Sequence, residues 1–467
     1  MSSIDYDLLI VGGGPGGYVA AIRAKQLGMK VAVIESEHMG GICLNWGCIP
    51  TKSLLRSSEI ASYIKHAEDY GFTSSELKVD IKKVVDRSRG VAKKLSSGVD
   101  YLMQKNSIEV IEGFGSLLGS GIVNVTDKNG VETKKSAENI ILATGATAKI
   151  IPGFEPDGKI VNTYKDAMIP SSIPQTILIV GSGAIGMEFA SFYHDLGSKV
   201  TVIEMLDRIL PNEDEDISIF AKRRFEEEGI NILTNTVLNE LKKNKTDVTV
   251  KLQKDKFENL EISIDKVILA VGIQANVNNI GLENTSIKLK EGHINTNEWL
   301  ETEESGVYAI GDVVGPPWLA HKASHEGIIC VEKIAGVKGV KPLNKNRIPN
   351  CTYCRPQIAS IGITEMQAKE RSLNIRVGRF NFSGNGKALA LGEPKGMVKT
   401  IFDNDTGELL GAHLIGAEVT ELIQGFVIAM NLETTEHELM ECIFPHPTLS
   451  EMIHESVLDA HDRAIHS

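Results

Sequence analysis

A strand–glycine turn–helix–strand unit ending in an acid occurs twice in this chain of 467 residues. The first copy reads DLLIVGGGPGGY from Asp7, then the helix pattern VAAIRAKQLG (19–28), then KVAVIE ending at Glu35. The second reads TILIVGSGAIGME from Thr176, then FASFYHDLG (189–197), then KVTVIE ending at Glu204. In both, the acid lies 23 positions after the first glycine, Gly12 to Glu35 and Gly181 to Glu204. One G-x-G-x-x-G is weak evidence. Two copies between strand and helix, each with its acid in place, predict two dinucleotide-binding βαβ units. Gly12 and Gly181 permit the sharp turn, and Gly14 and Gly183 let backbone approach a pyrophosphate. Gly17 and Gly186 allow helix to pack on strand, leaving the phosphates at the positive end of a helix. Glu35 and Glu204 are expected at ribose hydroxyls. A glutamate repels a 2′-phosphate, and the nearest arginine after Glu204 is Arg208, so NAD is expected over NADP.

Cys43 and Cys48 sit in GGICLNWGCIPTK (40–52). A bridge between them closes six residues and constrains the unfolded chain by only about 2 kcal/mol. A chain this long, 42% apolar, has no need of so small a staple. The pair therefore reads as a bridge that opens and closes in turnover. Six cysteines are too few for a disulfide framework, which favours a reducing, cytoplasmic setting where surviving bridges are catalytic or redox-sensing. A net charge of −12 argues against nucleic acid as the main partner. No apolar run approaches a membrane span, and MSSIDYD has no secretory character. Two nucleotide sites and a dithiol suggest a relay: fixed FAD between thiols and a diffusible nicotinamide.

Linkers are expected at 170–174 and 338–349. The chain beyond Tyr353 mixes strands (358–362, 397–402, 411–415) with a helix over 417–428, an α+β pattern. The overall fold class is α/β, two Rossmann-like domains with a separate α+β C-terminal domain. Small-residue turns follow the strands at ILATG (141–145) and AIGD (309–312), and Asp312 suits a ribityl hydroxyl. A helix is expected to begin near Cys43 and run through Lys52 and Leu55, its field favouring the thiolate. HPTLSE (446–451) reads as a capping box, Thr448 with Glu451. Cys351 and Cys354 form a C-x-x-C without a second pair, so no metal site is expected, and a strand through both would face them apart. Cys330 and Cys442 read as core thiols.

The dithiol motif, both fingerprints, Thr144-Gly145, Gly311-Asp312, LAHK (319–322) and HPTLSE occur in the order found in the pyridine nucleotide–disulfide oxidoreductases. The chain resembles that family over essentially its whole length, and within it the members that oxidise dihydrolipoamide. The resemblance implies an FAD-binding domain over 1–149, an NAD-binding domain over 150–279, a central region over 280–346 returning to the FAD domain, and an interface domain over 347–467. It implies a homodimer acting on dihydrolipoamide carried by an acyltransferase or carrier-protein lipoyl domain, within a 2-oxo acid dehydrogenase complex. By the same likeness Cys48 is the flavin-proximal thiol and Cys43 the one that exchanges with substrate. Lys52 lies near the flavin with Glu188 as its partner. His446, held by Glu451, is the acid–base group reaching the second subunit, and its bond to Pro447 is cis. Thr144, Gly145, Asp312 and Ala320 join the flavin residues, and Gly272 the nicotinamide residues. Trp46 departs from the small residue relatives carry there. Related architectures reduce glutathione disulfide or Hg²⁺, but the C-terminus DAHDRAIHS lacks the cysteine pair of the mercury enzymes, and a glutathione enzyme would carry basic residues after Glu204. A redox-silent component of a complex is the remaining alternative.

Overall fold

The structure, a computed structural model, describes residues 4–73, 77–119, 121–255 and 258–466. The chain is α/β and divides into two compact units. One comprises residues 1–53, 83–149 and 272–343, the other 54–82, 150–271 and 344–467.

In the first unit, Tyr6–Val11 lies between the parallel strands Val31–Glu35 and Glu132–Leu142. Glu109–Glu112 extends one side and Val307–Ala309 the other, both parallel. Residues 8–11 and 31–34 of the two central strands are apolar and buried, as strands covered on both faces must be. Glu132–Leu142 changes role along its length. Its polar first half pairs antiparallel with Ile122–Thr126, and its apolar second half joins the parallel sheet. The helix Pro15–Gln26 crosses Ala320–Ile334 closely, where a Cβ on Gly327 would lie 2.7 Å from the Gly16 carbonyl. Arg23 and Glu332 pair across the same crossing at 2.6 Å.

In the second unit, Thr176–Val180 pairs in parallel with Lys199–Ile203 and Lys266–Leu269. Asn231–Leu233 and Val161–Asn162 flank them. The C-terminal part is a five-stranded antiparallel sheet ordered Asn350–Thr352, Gln357–Gly362, Leu409–Gly416, Met397–Asp403 and Ile375–Asn381. Phe382, Phe402, Phe426, Met452 and Val457 form its core with the helices Val419–Asn431 and Glu451–Asp459.

Several expected bounds shift. The fingerprint helices span Pro15–Gln26 and Ala184–Asp195, four or five residues earlier than their apolar runs, because Gly14 and Gly183 cap them directly. Each still stops two residues before a left-handed glycine, Gly28 and Gly197. The helix expected over 417–428 begins at Val419, after Glu418 at φ 58°. Cys351 lies in the strand Asn350–Thr352, which ends before Cys354. Cys330 is fully buried, but Cys442 is exposed and not a core thiol, since the chain leaves the helix Glu436–Glu441 there in an extended conformation.

Candidate functional site

The two glycine turns are built alike. Gly12 and Gly181 have φ of 111° and 101°. A Cβ on either would overlap a carbonyl of the neighbouring strand end, Ala143 or Ala270. A Cβ on Gly17 or Gly186 would overlap the carbonyl of Gly12 or Gly181. Gly14 and Gly183 face open space instead. They cap their twelve-residue helices without any side-chain hydrogen bond, and neither helix has an acid in its first turn. Each helix N-terminus therefore has no capping side chain and starts at a glycine with open space around it, the arrangement a pyrophosphate requires. The residues present fit a dinucleotide at each turn.

The acids differ in how they are held. Glu35 accepts from the Gly13 amide at 2.7 Å and the Glu37 amide at 2.8 Å. Glu204, buried, accepts from both the amide (3.0 Å) and hydroxyl (2.7 Å) of Ser182, and from the Leu206 amide at 3.0 Å. Met205 and Leu206 beyond it are exposed and apolar. Arg208 donates to the Pro211 carbonyl at 3.3 Å.

In the first unit, Thr144 and Gly145 form a turn locked by Asn276. The Thr144 hydroxyl donates to the Asn276 carbonyl at 2.8 Å, and the Asn276 side chain returns to the Thr144 carbonyl at 2.9 Å. Gly272, at φ 108°, accepts from the Lys149 amide. Asp312 lies in the short turn Gly311–Val314, and burial pushes its carboxyl up. That turn is held by a buried pair the sequence did not reveal. Lys322 donates to the carbonyls of Gly311 and Gly315, each at 3.1 Å, and pairs with Glu326 at 3.1 Å. Glu326 accepts from the Gly311 amide at 2.7 Å. Ala320 opens the helix carrying both.

Cys43 and Cys48 do not share one helix. Cys43 lies in Gly41–Trp46 and Cys48 opens Cys48–Lys65, with a break at Gly47. The continuous helix expected here is corrected on this point. Gly47 has φ −140° and ψ −113°, outside helical geometry, and a side chain there would press on the Ile42 carbonyl at 3.1 Å. Pro50 then sits in the first turn of the second helix, where no backbone donor is needed. The break brings the two thiols together. Hydrogen bonding between them, then burial, pushes Cys43 well above the usual thiol range, while Lys52 pulls it down. Cys48, the first residue of an eighteen-residue helix, sits at its positive end.

In the second unit, buried Glu188 accepts from the Tyr353 amide at 3.0 Å. His446 is 78% exposed in the single chain, its Nδ1 3.0 Å from Glu451. The His446–Pro447 bond is cis. The helix begins at Glu451 with Ser450 as cap, so Thr448 is not the capping residue, although its amide still donates to Glu451 at 2.9 Å. Among the described residues, no group of three or more His, Cys, Asp or Glu is placed to hold a metal. Among them, too, no helix is long and apolar enough to cross a membrane.

Residues 6–327 match the family model for pyridine nucleotide-disulphide oxidoreductases, and residues 348–457 match that family's dimerisation domain. The chain belongs to this family. A dihydrolipoyl dehydrogenase from Rhizobium etli is 51% identical over 477 residues, covering 99% of each chain. Another from Zymomonas mobilis is also 51% identical, over 461 residues and 99% of each. The crystal structure of LpdA from Mycobacterium tuberculosis superposes with a TM-score of 0.90 at 26% identity, covering 96% of this chain and 98% of that one.

Proposed function

We propose that the protein is an FAD-containing dihydrolipoyl dehydrogenase, catalysing dihydrolipoamide + NAD⁺ → lipoamide + NADH + H⁺. The observation that carries this is the paired dithiol Cys43/Cys48, set in the same unit as the open turn at Gly14. Full-length relatives bearing that name support the substrate.

FAD would be held by Gly12, Gly14, Gly17, Glu35, Thr144, Gly145, Asp312 and Ala320. NAD would be held by Gly181, Gly183, Gly186, Glu204 and Gly272. Glu204 and the apolar Met205-Leu206 favour NAD over its phosphorylated form. Bound FAD supplies the two-electron link between thiols and nicotinamide.

His446 removes a proton from one substrate thiol, and Glu451 fixes its tautomer and stabilises the resulting imidazolium. The thiolate attacks the Cys43 sulfur of the Cys43–Cys48 disulfide, and Cys48 leaves as thiolate. The second substrate thiol then attacks the mixed disulfide, lipoamide departs, and Cys43 is released as thiol. Lys52 lowers the cost of negative charge at the dithiol. The exposure of His446 fits service to the dithiol of a second copy, as does the match to a dimerisation domain. Ile443, 98% exposed three residues before it, and exposed Leu432 and Ile428 suit burial in a homodimer. The lipoyl group would arrive on an acyltransferase or carrier protein of a 2-oxo acid dehydrogenase complex in the cytoplasm. The divisions at residues 149, 279 and 346 belong to the same proposal.

A substrate panel tests it. Dihydrolipoamide with NAD⁺ should yield NADH, and glutathione disulfide with NADPH should give no turnover. The reverse pattern would contradict it.

A further inference from the structure

The dithiol segment runs beside the helix Ile81–Lys105 and is tied to it in antiparallel register. The Ser96 hydroxyl donates to the Met39 carbonyl at 2.8 Å. Arg89 Nη1 donates to the Asn45 carbonyl at 2.5 Å. The buried Ser88 hydroxyl donates to the Pro50 carbonyl at 2.9 Å. Arg87 Nη1 donates to Ser53, at 3.1 Å to its carbonyl and 2.7 Å to its hydroxyl.

Only one of these ties falls between the two sulfurs on the Cys43 side of the Gly47 break. The Arg89 guanidinium caps a carbonyl in the last turn of Gly41–Trp46, where a helix leaves its carbonyls unpaired and welcomes a cation. It also lies over the Trp46 ring, 4.1 Å from the centroid. A planar fork can do both at once, whereas an ammonium cannot match that geometry. The helix that carries Cys43 is six residues long and too short to hold its own orientation.

We propose that Arg89, through Asn45 and Trp46, is a positioning residue that sets the approach of Cys43 to Cys48 and so the redox equilibrium of the pair. The proposal rests on the dithiol being the exchanging couple of the function above. Two sulfurs held close form their bond readily, and loosening one helix lowers their effective concentration and favours the dithiol.

The test is thiol–disulfide exchange on the FAD-loaded protein: protein dithiol + oxidised dithiothreitol ⇌ protein disulfide + reduced dithiothreitol. Samples are quenched by alkylation and the two thiols counted by mass. Arg89→Met should move the equilibrium about tenfold or more toward the dithiol, the scale of one hydrogen bond to a charged group. Arg89→Lys should recover part of the shift, and Trp46→Val should move it the same way by less. Arg87→Met, whose tie lies beyond both sulfurs, should leave it unchanged. An Arg89→Met equilibrium equal to wild type, or an equal shift in Arg87→Met, overturns the proposal. Should Arg89→Met fail to fold, Trp46→Val decides in the same way. A wild-type protein without an exchangeable Cys43–Cys48 disulfide overturns the functional proposal and this one with it, whereas a wild-type disulfide insensitive to Arg89 overturns this one alone.

Discussion

Glu451 divides its carboxylate between His446 and the backbone: one oxygen lies 3.0 Å from His446 Nδ1 and the other accepts the Thr448 amide at 2.9 Å. The Thr448 bond, more than the His446 bond, holds the carboxyl below its ordinary range, so it stays ionised at neutral pH. An ionised partner on Nδ1 leaves Nε2 free to take a proton. Glu451→Gln keeps an acceptor but removes the charge. It should lower turnover by roughly 10²-fold with an unchanged circular dichroism spectrum. Turnover at the wild-type rate would remove Glu451 from the acid–base pair.

The two glycine types of the second fingerprint should respond differently. Gly186→Ala places a methyl against the Gly181 carbonyl and should unfold or distort the turn. Gly183→Ala meets open space, so the protein should fold normally. Its methyl would instead intrude where the pyrophosphate approaches, raising the KM for NAD⁺ about tenfold or more. Steady-state kinetics with thermal denaturation separates the two effects.

Buried Lys322 and Glu326 fix the turn bearing Asp312. Glu326→Gln leaves the ammonium in a dry site without its countercharge. The expected outcome is loss of flavin, read as absorbance near 450 nm per chain after gel filtration. Full flavin retention would show that the turn holds without the pair.

A second buried network governs acid stability. Lys399 and Asp214, each 1% exposed on their side chains, pair at 2.7 Å, and Lys399 also meets Asp216 at 2.7 Å and Glu365 at 2.8 Å. Burial pushes Asp214 and Glu365 up, but their hydrogen bonds and cations outweigh it. Asp214 ends lowered, and Glu365 falls to about 2. Carboxylates lowered by folding stabilise above their unfolded pKa of about 4–4.5. That stability is lost as pH falls toward about 2. Lys399→Met should cost about 3–5 kcal/mol at neutral pH by stranding buried carboxylates. Denaturant melts at pH 7 and pH 3 check this, and the mutant deficit should shrink at the lower pH.

How far the sequence carries depends on the range of the interaction. The glycine turns were legible because each needs a backbone that a Cβ forbids, and the acid 23 positions on follows from strand and helix lengths. The pairing of His446 with Glu451 came from the family resemblance; from the residues alone the segment reads only as a helix entry. The break at Gly47 was not legible, since an apolar run with one glycine reads as a continuous helix. Arg89, Lys322 and Asn276 were hidden for another reason. Arg89 and Asn276 meet partners 44 and 132 positions away, and the Lys322–Glu326 pair, though i,i+4 on one helix, is turned inward by its contacts with Gly311, 11 and 15 positions away; helical periodicity encodes none of these long-range contacts. Asp214 and Lys399 are separated by 185 positions. Exposed Cys442 misled because composition records that cysteine is usually buried, not where a helix ends.

In the proposed reaction Cys43 and Cys48 exchange electrons with a substrate dithiol on the way to NAD⁺. The most direct measurement is NADH formation at 340 nm from dihydrolipoamide and NAD⁺, wild type against Cys43→Ser, at equal flavin content. Wild type should form one NADH per dihydrolipoamide consumed, and Cys43→Ser should lose roughly a thousandfold or more in turnover. Equal rates in the two proteins would contradict the account.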